Sequence, residues 1–232
     1  MTPYVLFGHN HLLGDLAEII LASGGRLSRI IRNQPGVPHP GRKSLEERLA
    51  QLAETTRLLD PAIPPVEVTE LRDFVARVGE AYLIGFTGHK QAPLRDELRE
   101  RFGLTFTAAV HPRAIISPSA RIGAGSIVGA GAILASGVRL GEHVLINRGA
   151  SVGHDTEIGD FGIVQPGASL AGHVRLGYGA VVGIGATVIE DRRVGEYAQV
   201  AAGAAVTQDV PPHALVAGVP AVVKKMLPTA PQ

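Results

Sequence analysis

Val110 begins a series that constrains this chain more than any other feature. Stepping by six from it reaches Ile116, Ile122, Val128, Leu134, Leu140, Ile146, Val152, Ile158, Val164, Leu170, Leu176, Val182, Val188, Val194, Val200 and Val206. All 17 positions, Val110 included, are Ile, Leu or Val, although only 28 of the 97 residues in that window are of those types. Chance agreement is on the order of one in a billion. The next position is repeatedly glycine, as at Gly123, Gly129, Gly141, Gly153, Gly159, Gly177, Gly183 and Gly195. Two residues before the aliphatic position stand small residues such as Ala114, Ser126, Ala150, Ala168 and Ala186. A helix repeats every 3.6 residues and a strand every 2, so neither explains a strict six. A triangular prism does. Each unit supplies one short strand and one corner, and three units close a coil. The aliphatic side chain points inward and stacks on its equivalents, while glycine and small residues are expected to turn the corners. The series predicts about five coils, enough for a solenoid stabilised by neighbour-to-neighbour burial.

Composition agrees. The 232 residues include six Phe, four Tyr and no Trp, so the core is filled by small branched side chains. Lys plus Arg is 22 and Asp plus Glu is 21, which offers no excess charge to nucleic acid or an anionic membrane. Absence of cysteine removes disulfide and thiolate chemistry. No apolar run approaches a membrane span, and the first residues lack the pattern of a signal peptide. A cytoplasmic location is expected.

The first 109 residues read differently. Tyr4–Phe7, Arg26–Ile31 and residues 81–86 form strands, with helices to about Ser23 and over Pro93–Phe102. This alternation predicts a small parallel α/β, Rossmann-like domain. A helical insert near 34–65 interrupts it. Asn33–Gly41 is a loop, and Ser44-x-x-Glu47 is a capping box before Leu45, Leu49, Leu52 and Leu59. Gly8 closes the first strand ahead of a helix, the place where such folds accept phosphates. A bare turn that needs glycine fits Gly8 equally well. The expected domains are therefore 1–109, 110–211 for the prism, and a tail over 212–232.

Further stretches carry a resemblance. The junction Val110-His111-Pro112-Arg113-Ala114, the segment Asn147 to Phe161 containing His154-Asp155, and the exit Ala202-Gly203 through Val219-Pro220-Ala221 resemble the hexapeptide-repeat acyltransferases. Those proteins form a left-handed parallel β-helix. A preceding α/β domain makes the chain similar to their sugar O- and N-acetyltransferase branch. The resemblance implies transfer from acetyl-CoA to a sugar, often nucleotide-linked, in a homotrimer with active sites between subunits and no metal. It implies His154 as general base, for which imidazole suits neutral pH, with Asp155 orienting it. It places the Gly172 amide at the developing oxyanion. Ile184, Gly185, Ala202 and Gly203 would lie along the coenzyme A, and Lys224 and Lys225 are either phosphate contacts or solvated tail residues. Gly8, Asn10, His11, Arg32 and Asn147 are the candidate acceptor-site residues.

Two departures stand out. Relatives carry a histidine near the thioester where this chain has Ile163, and their glycine-rich nucleotide turn is replaced here by Gly8-His9-Asn10-His11. N- and O-acylation both remain open, as does the sugar. A non-catalytic scaffold is one alternative. Another is the γ-type carbonic anhydrases, which share the prism but need three zinc histidines; His143, His154 and His173, 11 and 19 residues apart, lack the close pair expected of that class.

Overall fold

The computed structural model describes residues 1–10, 12–33 and 43–228. They form two compact units, Met1–Phe86 with Pro93–Thr107, and Thr87–Ala92 with Ala108–Gln232. Among the described residues no helix is long and apolar enough to cross a membrane.

The first unit is a four-stranded parallel sheet. Its elements are β1 (Thr2–Phe7), α1 (Leu13–Ala22), β2 (Gly25–Arg32), α2 (Leu45–Leu59), β3 (Glu67–Glu70), β4 (Ala81–Ile84) and α3 (Ala92–Phe102). The order across the sheet is β3-β2-β1-β4. Val5, Leu6, Phe7, Ile30, Ile31, Leu83 and Ile84 are buried, as strands covered on both faces require. Strand β3 was not legible in the sequence because Glu-Val-Thr-Glu carries no apolar run. The capping box is present: Ser44 Oγ accepts from the Glu47 N–H at 3.1 Å, and Glu47 Oε2 accepts from the Ser44 N–H at 2.6 Å. Most of the expected Pro- and Gly-rich loop lies outside the described residues.

The second unit is a triangular parallel β-helix built from two-residue strands. Strands pair with those 18 positions away, as in Ile146 with Val164, Val152 with Leu170 and Leu140 with Ile158. Three sheets of eight, five and six strands make the faces. The inward aliphatic residues form one continuous core from Val128 to Val216, each contributing about 1.5–3 kcal/mol by burial. Two small positions carry hydroxyls inside the prism, and both are satisfied. Ser126 Oγ donates to the Gly141 carbonyl at 2.9 Å, and Thr156 Oγ1 donates to the Ala171 carbonyl at 3.0 Å.

The corners correct the sequence reading. The glycines that follow the aliphatic residues do not turn the chain. They let coils stack: a Cβ at Gly177 would lie 2.5 Å from the Glu196 nitrogen, and one at Gly183 would lie 2.6 Å from the Ala202 nitrogen. The turn falls two residues later, where the backbone is left-handed at every sixth position from Gly125 to Gly203. Six of those positions are not glycine: His143, Asp155, Phe161, His173, Asp191 and Tyr197.

Each corner has its own chemistry. One is a glycine edge of Gly131, Gly149, Gly167, Gly185 and Gly203, where the turning residue itself carries no side chain. A second stacks Gly137, Asp155, His173 and Asp191. The third collects the aromatic residues. His143 stacks on Phe161 with ring centroids 5.4 Å apart, Phe161 meets Tyr178 at 5.3 Å, and Tyr178 meets Tyr197 at 5.3 Å. The faces differ as well. Arg121, Arg139, Glu157, Arg175 and Arg193 point outward from the five-stranded sheet and are exposed. Ile115, Ile133, Ser151, Ser169 and Thr187 occupy the same role on the six-stranded sheet. The six-residue spacing ends at Val206, yet Ala214–Ala217 still adds a parallel strand to the eight-stranded sheet. Val222–Met226 then returns antiparallel along its edge, with Lys224 and Lys225 exposed.

Candidate active site

His154 follows the inward Val152 by two residues, which carries it out of the prism at the corner between the six- and five-stranded sheets. Its side chain keeps 59% of its accessible surface. Nδ1 lies 3.0 Å from Asp155 Oδ2, so the carboxylate holds that nitrogen and leaves Nε2 as the second polar atom of the ring. Asp155 takes the left-handed corner conformation, one that short polar side chains tolerate.

Gly172 stands one coil further on, against the imidazole. A Cβ there would lie 2.6 Å from both Cε1 and Nε2 of His154. The missing side chain therefore makes the space that the ring occupies. The Gly172 amide donates to no backbone carbonyl among the described residues. Amides at the equivalent position of another corner, such as those of Ile184 and Ala202, do likewise. What distinguishes Gly172 is the histidine beside it.

His173 sits at this corner beside Gly172, as its position in the repeat predicts. It lies 18 residues after Asp155 at the same corner, and its N–H donates to the His154 carbonyl at 2.8 Å. The two imidazoles meet edge to face, with centroids 5.0 Å apart and planes at 88°. The signal for that contact was present as the coil length of 18, but the six-residue pattern alone does not reveal it.

The remaining candidates gather elsewhere. Ile184-Gly185 and Ala202-Gly203 stack on one another at the glycine edge, where the Gly203 N–H donates to the Ile184 carbonyl at 2.9 Å. Asn147 leads into the same edge; its Nδ2 donates to Gln165 Oε1 at 3.4 Å and its Oδ1 accepts from the Arg148 N–H at 2.8 Å. Within one chain, then, His154 with Gly172 and the glycine edge belong to different corners of the triangle. Ile163 is buried on the eight-stranded face and pairs with Leu145 and Val181, again away from His154. The three histidines weighed for a zinc enzyme do not assemble in one chain either, because His143 stacks in the aromatic corner.

In the first unit, Gly8 ends β1 with a left-handed backbone. Its N–H donates to the Ile31 carbonyl at 2.7 Å, and a Cβ on it would lie 2.9 Å from both Asn33 Oδ1 and Phe86 Cε1. Gly85, which the sequence reading missed, brings the end of β4 onto the Gly8 carbonyl. With the order β3-β2-β1-β4, these two glycines mark the point where the connections reverse, the edge at which open parallel sheets bind ligands. Asn10 Oδ1 accepts from the Leu12 N–H at 2.8 Å in the turn that leads into α1. Arg32 donates to Glu46 Oε1 at 2.7 Å. His9 is held below the usual imidazole range, first by burial and then by the Arg32 and Arg48 guanidinium groups, which together outweigh the opposing pull of Glu46. His11 lies outside the described residues.

The left-handed parallel β-helix is the fold of the hexapeptide-repeat acyltransferases. The chain's structural neighbours are more particular: they are sugar N-acetyltransferases, and they support an acyltransferase. PerB of Caulobacter crescentus, solved in complex with CoA and GDP-perosamine, is 28% identical with a TM-score of 0.76, over 96% of this chain and 97% of that one. The acetyltransferase domain of PglB from Neisseria gonorrhoeae is 25% identical with a TM-score of 0.76, over 96% and 100%. WeeI from Acinetobacter baumannii, at 22% identity and a TM-score of 0.75 over 96% and 100%, shares the fold. No family model matches the chain, and no curated protein matches it by sequence.

Proposed function

We propose that the chain transfers an acyl group, acetyl in the first instance, from acyl-CoA to an amino or hydroxyl group of a nucleotide-linked sugar, with His154 as general base. The observation that carries this reading is the His154 corner itself: an exposed imidazole, one nitrogen held by Asp155, the ring seated against a glycine whose amide donates to no backbone carbonyl among the described residues. The structural neighbours, of which PerB was solved with CoA and GDP-perosamine, support the class of donor and acceptor.

The chemistry follows from the geometry. His154 takes the proton of the acceptor as its nitrogen or oxygen attacks the thioester carbon. Asp155 keeps the ring in one tautomer and stabilises the imidazolium that results. Negative charge develops on the carbonyl oxygen, and we assign the Gly172 N–H to meet it. The carbon–sulfur bond then breaks, and the imidazolium returns its proton to the departing thiolate.

Acyl-CoA is a substrate here, and the glycine edge from Gly149 to Gly203 offers it a line of left-handed positions without side chains, with the exposed Ile184 beside them. That edge and His154 occupy different corners of one prism, so a complete site needs a second copy. A homotrimer in which the base corner of one subunit faces the glycine edge of the next supplies it. The sugar nucleotide is assigned to the first unit, at the Gly8 and Gly85 edge, with Arg32 and His9 beside it. Replacement of His154 by Ala is expected to lower kcat by about a hundredfold or more while the protein stays folded and trimeric. Unchanged turnover would remove the assignment.

A further inference from the structure

Two imidazoles and a carboxylate converge at the base corner. One ligand atom from each of His154, Asp155 and His173 lies within 4.8 Å of the other two. All three side chains are exposed, so an ion reaches them without any part of the fold opening. Neutral imidazole nitrogens with a carboxylate oxygen are a donor set for borderline divalent ions, Zn²⁺ above all, whereas Mg²⁺ and Ca²⁺ favour oxygen alone. Ligands of a tetrahedral Zn²⁺ stand about 3.4 Å apart, given bonds of about 2.0–2.1 Å. His154 Nδ1 and Asp155 Oδ2 are already 3.0 Å apart. Side-chain rotation of the exposed His173 ring closes the rest, since the backbones of the two coils are locked by the bond from the His173 N–H to the His154 carbonyl.

We propose that His154, Asp155 and His173 form a three-ligand site for Zn²⁺ or a chemically similar transition-metal ion, and that occupancy switches the enzyme off. The fourth position is left for water. The ion is not a cofactor of the transfer. It takes up Asp155 and a lone pair of the histidine that the reaction needs, so metal and turnover exclude one another. The loss of turnover rests on His154 being the base; the metal site does not.

The test uses the full chain in chelator-free buffer, with ZnCl₂ as the probe. Calorimetry without substrates is expected to show one Zn²⁺ bound per chain. His173→Ala and Asp155→Asn should each weaken that binding by about tenfold or more, and MgCl₂ should give no comparable heat. In the acyl-transfer assay Zn²⁺ should inhibit, EDTA should reverse it, and His173→Ala should need about tenfold more Zn²⁺ for half inhibition relative to its own uninhibited rate. Absence of binding, equal binding by His173→Ala, or equal binding of Mg²⁺ overturns the site. One Zn²⁺ bound with these variant effects but without inhibition supports the site and overturns the assignment of His154 as base.

Discussion

Substituting Gly172 by Ala separates catalysis from folding. The added Cβ would sit 2.6 Å from His154 Cε1 and Nε2, whereas unstrained non-bonded atoms keep about 3.5–4.0 Å. The ring therefore has to retreat by about 1 Å. Its retreat is opposed by the 3.0 Å contact with Asp155 and by His173, packed edge to face at 5.0 Å. A displacement of about 1 Å at a reacting group costs roughly a hundredfold in rate, or about 2.7 kcal/mol in the barrier. The backbone at Gly172 is not left-handed, so alanine is conformationally acceptable there, and the amide N–H is retained. The expected outcome is a fall in kcat/KM of about a hundredfold, with a thermal midpoint close to wild type. The assay follows CoA thiol release with an acceptor chosen from a panel of nucleotide-linked amino sugars, GDP-perosamine among them. A Gly172→Ala enzyme within about threefold of wild type would show that the seating of the imidazole on this glycine does not matter. A collapsed melting temperature would refute the claim that the corner tolerates a methyl group.

Three other outcomes follow from the same geometry. Gly177→Ala places a Cβ 2.5 Å from a backbone nitrogen of the next coil and should cost about 1–3 kcal/mol by urea denaturation; a neutral result would mean that the coils slide apart freely. His89, packed on Tyr197 at 5.1 Å, is held below the usual imidazole range by burial and then by Lys90. The unfolded chain therefore binds that proton first as pH falls. Stability should be full above about pH 6.5 and decline below it, and His89→Gln should flatten that decline; identical slopes at pH 7.5 and 5.5 would contradict it. Finally, His154→Ala and Ala202→Trp, each inactive alone, should regain about a quarter of wild-type activity when co-assembled in equal amounts, if sites form between copies at random. Mixtures that stay inactive would place base and glycine edge in the same subunit's site.

Much of the second unit was legible because burial in a prism repeats in sequence. Val152, Val164 and Leu170 had to be aliphatic for the coils to stack, and the six-residue period records that directly. The turning residues were misread for a physical reason. Glycine serves two purposes here, close approach between coils and left-handed backbone, and composition cannot tell them apart. His143, Phe161 and Tyr197 hold left-handed corners without being glycine because ring stacking from coil to coil compensates for the strain. In the first unit, Gly85 was missed because its role is a close approach to Gly8 across two strands distant in sequence.

The aliphatic series from Val110 to Val206 by itself determined that the chain winds into a prism, since only a period of six keeps one side chain per unit inside. Tertiary structure decided which corner each remaining residue occupies. A coil of 18 residues brings position i onto i + 18, so His154 meets Gly172 and His173 while His143 joins the aromatic stack. The local pattern is identical at all three corners. Only closure of the triangle, with its stacking contacts between coils, makes them chemically different.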